Sequence, residues 1–124
     1  MGRVTGIGGV FIRARDPNAL GEWYERHLGV PFAQGFARFL WREDPDPEAS
    51  TMWAPFEQDT SYFGPGSQQA MVNFRVDDLE GLLADLAAAG VEIAPERSEE
   101  SYGRFAWISD PEGNRVELWE PVSA

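Results

Sequence analysis

The two halves of this chain repeat one order of elements, and that repetition limits its folds more than any other feature. Val10-Phe11-Ile12-Arg13-Ala14 reads as a strand, and Asp16-Pro17 then supplies an N-cap followed by a proline where a first helical turn tolerates one. Leu20, Trp23, Tyr24 and Leu28 form one stripe on a 3.6-residue period, and Gly29 is placed to end the helix. The second half repeats this. Met71-Val72-Asn73-Phe74-Arg75-Val76 reads as a strand, Asp77 or Asp78 caps, and Leu79, Leu82, Leu83, Leu86 and Ala87 make the stripe before Gly90. Arg13-Ala14-Arg15-Asp16 matches Arg75-Val76-Asp77-Asp78, and Thr51-Met52-Trp53-Ala54-Pro55 parallels Glu117-Leu118-Trp119-Glu120-Pro121. The period is close to half of 124 residues, which signals duplication, since a solenoid needs at least three shorter repeats.

Each half has room for two more strands between its helix and its last strand. In the first they are expected near Phe32 and over Phe36–Trp41, before a loop over Glu43–Glu48; in the second, around Val91–Ile93 and Arg104–Ser109. Asp110-Pro111-Glu112-Gly113 then has the residues of a type I turn, with Asp at i, Pro at i+1 and Gly at i+3. The organisation is one domain over 1–124: a first module over about 1–56, a linker over about 57–67 marked by Gly64-Pro65-Gly66, and a second module over about 68–124. The fold class is α+β, two βαβββ modules.

Composition removes several functions. The chain has no cysteine, hence no disulfide, thiolate nucleophile or thiolate metal site. A formal net charge of -11 repels nucleic acid, while it serves solubility or draws in a cationic ligand. No run has the length of a membrane span and the N-terminus lacks a secretory apolar region, so a cytoplasmic location without a membrane partner is expected. Gly6-Ile7-Gly8-Gly9 precedes a strand instead of following one, so it is no phosphate-binding fingerprint. His27, the only histidine, sits near a helix C-terminus, where it complements the dipole.

Trp23-Tyr24 with Leu28-Gly29, Phe74-Arg75-Val76-Asp77-Asp78-Leu79, and above all the closing stretch Ile108-Ser109-Asp110-Pro111-Glu112-Gly113-Asn114-Arg115-Val116-Glu117-Leu118 carry a resemblance. The chain resembles the vicinal-oxygen-chelate superfamily, the glyoxalase/bleomycin-resistance/dioxygenase proteins, over essentially its whole length. The resemblance implies a curved mixed sheet around a cleft, with the helices outside. Strand parity then sends Val10, Ile12, Ala14, Val72, Phe74, Val76, Val116 and Leu118 toward the helices, and Phe11, Arg13, Trp53, Asn73, Arg75, Glu117 and Trp119 into the cleft, joined by Phe105 and Trp107.

Metal-dependent members take one ligand from the first and last strand of each module, which the resemblance carries onto Gly9, Thr51, Met71 and Glu117. Only Glu117 suits a divalent ion, so neither a metal nor another cofactor is expected. Glu117 is the candidate catalytic residue, as a general base or the partner of a ligand cation; alternatively it pairs with Arg13 or Arg75 across the sheet. Those arginines either bind a ligand carboxylate or close the sheet by pairing with acids. Phe11, Trp53, Trp107 and Trp119 either stack a planar ligand or simply pack. The leading function is metal-independent binding of a small organic molecule. A metal-dependent lyase or isomerase of the lactoylglutathione lyase type is the alternative, and a scaffold whose own tryptophans fill the cleft is a third. Sheet edges and the resemblance together imply a homodimer.

Overall fold

The computed structural model describes residue 2, residue 7 and residues 9–122. Helix α1, Pro17–Leu28, starts where Asp16 accepts a hydrogen bond from the Ala19 amide (3.1 Å), and ends at Gly29, whose φ of 71° suits a residue without a side chain. A hairpin of two-residue strands follows, β1 Phe32–Ala33 and β2 Phe36–Ala37, then a 3₁₀ turn over Trp41–Glu43. The second half is complete: β3 Val72–Arg75, α2 Leu79–Ala88, β4 Ile93–Glu100, β5 Gly103–Ser109 and β6 Arg115–Pro121. Asp78, not Asp77, caps α2, accepting from the Gly81 amide (3.1 Å). The other end of α2 closes with Gly90 and Val91 amides donating to the Ala87 and Leu86 carbonyls, a Schellman arrangement.

The main sheet has the order β3-β6-β5-β4, with β3 parallel to β6 and the other pairs antiparallel. Both helices cover one face. Leu20 and Tyr24 of α1 and Leu79, Leu83 and Leu86 of α2 pack on Ala106, Ile108, Val116 and Leu118, with Phe74 and Val76 at the margin. Alternation along the strands leaves Asn73, Arg75, Phe105, Trp107, Glu117 and Trp119 on the opposite face. This is a curved α+β arrangement with the helices outside the sheet. No helix among the described residues is long and apolar enough to cross a membrane.

The first half departs from expectation. Neither Val10–Ala14 nor Thr51–Pro55 forms a strand, so Phe11 (96% exposed), Arg13 and Trp53 (78% exposed) do not lie on the sheet face. Phe36–Trp41 is a strand only over Phe36–Ala37, and Val91 and Glu92 precede β4. Extended backbone becomes a strand only when a neighbour takes its N–H and C=O groups. Among the described residues, the paired strands of the first half are β1 and β2, and their short ladder offers Val10–Ala14 and Thr51–Pro55 no partner there.

Contacts at the β5–β6 turn tie the halves together. Asp110, 5% exposed, accepts hydrogen bonds from the amides of Glu112 and Asn114 (both 2.9 Å), the Asn114 side chain (2.8 Å) and the Tyr24 hydroxyl (2.8 Å). Glu112 reaches back to accept from the amides of Arg15 (2.8 Å) and Asp16 (3.1 Å), which fixes the start of α1 on the same turn. Tyr24→Phe removes one donor from a buried carboxylate and is expected to cost about 1.5–3 kcal/mol. Urea denaturation checks this, and a loss under about 0.5 kcal/mol, the level of a surface change, would show that the tie carries no load.

Candidate functional site

The face turned away from the helices is built around Glu117, in the middle of β6 and 7% exposed. Register puts Asn73 of β3 and Trp107 of β5 beside it on either side. Asn73 Nδ2 donates to Glu117 Oε1 (2.6 Å), and Trp107 Nε1 donates to Oε2 (2.9 Å). The Tyr62 hydroxyl donates to that same Oε2 from the segment crossing above the sheet. Three neutral donors thus hold one carboxylate, and among the described residues no arginine pairs with it.

Arg75 is engaged elsewhere. Its guanidinium pairs with Asp44 and donates to the Ser50 carbonyl (2.8 Å), pinning the acidic loop to the end of the face. The Asp44 carboxyl is held below its usual range, first by the Asp46 amide and then by Arg75. Trp119 stacks flat on Phe105 at 6.1 Å and donates to the Tyr102 carbonyl (3.1 Å). Of the residues singled out from sequence, Asn73, Trp107 and Glu117 come together, Arg75 and Trp119 flank them, and Phe11, Arg13 and Trp53 stand apart from the sheet.

Three further residues belong to this face. Tyr62 stacks on Phe56 at 5.2 Å and meets Trp107 edge-on at 5.7 Å. Gln68 donates to the Arg115 carbonyl (3.0 Å) and accepts from the Arg115 amide (2.7 Å), acting as a short substitute strand beside β6. The Arg115 guanidinium lies 5.2 Å from the Trp107 ring centre. Arg115 was legible, because it precedes Glu117 by two residues and shares its face. No periodicity marks Tyr62 or Gln68, which lie in an irregular segment.

The chain can now be set beside known proteins. The Glyoxalase/Bleomycin resistance protein/Dioxygenase superfamily matches residues 6–118. The chain belongs to that superfamily. Lactoylglutathione lyase from Agrobacterium tumefaciens is similar in structure, with TM-score 0.60 at 20% identity over 94% of each chain. TioX from Micromonospora sp. ML1 is similar with TM-score 0.50 at 20% identity, over 90% of this chain and 92% of that one. The match to TnmS3, an antibiotic binding protein from Streptomyces sp. CB03234, is 35% identical with TM-score 0.36, and covers only 41% of each chain. No curated protein matches the chain.

The superfamily includes metal-dependent members, and the residues here do not fit such a centre. Gly9 has no donor, Thr51 is exposed on unpaired backbone, Met71 offers a thioether, and Glu117 already accepts from three groups. Among the described residues, no three His, Cys, Asp or Glu side chains are grouped so as to hold an ion.

Burial and the acids they bind raise two phenols. Tyr24 lies against Asp110 and Tyr62 against Glu117, and desolvation leads in pushing both well above the ordinary value of 10.0. A raised folded-state value means that the unfolded chain loses its protons first, so this stabilisation is complete below about pH 10 and is lost as pH rises further. Melting temperature should therefore begin to fall above about pH 10, and absorbance near 295 nm should show Tyr24 and Tyr62 ionising only with unfolding. Ionisation of all three tyrosines near the ordinary value in folded protein would contradict these contacts.

Proposed function

We propose that the protein binds a small organic molecule on the face carrying Trp107, Glu117 and Tyr62, without a resident divalent metal. The observation that carries this reading is the state of Glu117. Its two oxygens meet Tyr62, Asn73 and Trp107, which uses the carboxylate to orient an aromatic wall and leaves it poorly placed to chelate an ion or take a substrate proton. Membership of a superfamily that includes bleomycin-resistance proteins supports binding as the task. Exposed aromatic surface at Phe56 (48%) and Tyr62 (38%) gives a planar molecule something to lie against.

A thermal-shift panel of cationic drugs and small aromatic acids tests this, run before and after dialysis against EDTA. At least one compound should raise the melting temperature, by the same amount after chelation. Binding that disappears with EDTA and returns with one Zn, Ni or Mn per chain would replace this reading with the metal-dependent lyase. A panel without hits would count against ligand binding itself.

We infer also that the working form is a homodimer. Val10, Phe11, Ile12, Met52 and Trp53 are all more than half exposed, and among the described residues β3 is an edge strand. The chain exposes 9650 Å², against the roughly 6,600 Å² typical of a compact 13.8 kDa monomer. The excess is of the size that a large subunit interface covers. A second copy supplying the same bare segments would give each a ladder partner. Light scattering at micromolar concentration should return twice 13.8 kDa, and a monomer would rule the dimer out.

A further inference from the structure

We propose that Arg115 is the anion-recognition residue of this face, and that the ligand is a planar organic anion, an aromatic carboxylate or phenolate whose negative end meets its guanidinium. This rests on the small-molecule reading above and specifies its chemistry. The chain carries 21 acidic and 10 basic residues, yet Arg115, like Arg13, Arg26, Arg38 and Arg42, forms no ion pair among the described residues. The ion pairs among the described residues use Arg15, Arg75, Arg97 and Arg104, and Arg115 makes none. Its Nε is buried with no hydrogen-bond acceptor. An oxyanion that meets the accessible end of the guanidinium gains a charge-assisted bond.

Neighbouring groups hold this arginine in place. Its backbone is clamped by Gln68, and its guanidinium lies over the Trp107 ring. Gly64, at φ 84°, packs so closely on the Arg115 stem that a Cβ there would sit 2.7 Å from Cδ. Glu117 is two residues away on the same strand, but its oxygens are already met by neutral donors, which leaves the guanidinium to a ligand. The Phe56–Tyr62 stack beside Trp107 supplies the flat apolar wall, so the anion recognised is planar and organic instead of a bare inorganic ion.

Calorimetric titration with 2-naphthoate, its neutral amide 2-naphthamide and the cation 2-naphthylmethylammonium separates the possibilities. Wild type should bind the carboxylate about tenfold or more tighter than the amide. Arg115→Gln should bring carboxylate and amide to within about threefold, and Arg115→Lys, which keeps charge but loses the planar fork, should fall between. The preference ratio is the readout because a purely structural loss weakens both probes alike. Gly64→Ala, which displaces the arginine stem without touching its charge, should also shrink the ratio. Equal binding of carboxylate and amide by wild type, a preference for the cation, or a carboxylate preference that survives in Arg115→Gln would overturn the assignment to Arg115 while leaving a ligand-binding face in place. Absence of binding by all three probes at millimolar concentration would overturn both.

Discussion

A carboxylate taken out of water must be given hydrogen bonds; Asp110 takes three from its own turn, and the fourth, from the Tyr24 hydroxyl, joins the first half of this chain to the second. Unpaired at 5% exposure, that group would cost several kcal/mol. The turn that satisfies it through its own amides also sets the β5–β6 register, with Trp107 opposite Glu117 and Phe105 opposite Trp119. The Tyr24 hydroxyl brings α1 onto the helix-covered face of that same hairpin. The composition of the opposite face follows from this register.

There a second buried acid is solved differently. Asp110 is satisfied mainly by its own turn, whereas Glu117 draws its donors from β3, from β5 and from the segment above the sheet. All three donors are neutral, and arginines go to other tasks. Arg75 anchors the acidic loop and Arg115 rests on Trp107. Glu117 thus organises the side chains of this face.

Legibility from sequence follows from how local each determinant is. Both helices, the Asp16 cap and the Asp110-Pro111-Glu112-Gly113 turn were readable because each depends on residues within a few positions, whereas the cap of α2 was narrowed only to Asp77 or Asp78. Period-two parity sorted β3, β5 and β6 correctly into helix-facing and open faces. It failed at Val10–Ala14 and Thr51–Pro55, where the pattern is strand-like but the described residues supply no pairing partner. The pairings of Glu117 and Arg75 were hidden for a similar reason. Tyr62 and Asp44 reach them from irregular segments, whose paths no periodicity describes.

Glu117 is held by three protein donors, which we propose leaves it a poor metal ligand, and the Trp107 indole N–H that it accepts from is a direct reporter. A ¹H–¹⁵N spectrum of the five tryptophan side chains, recorded before and after one equivalent of Mn²⁺, reads that group in place. The Trp107 indole resonance should keep its position and intensity. Selective broadening of that resonance would place the ion at Glu117 and contradict the account.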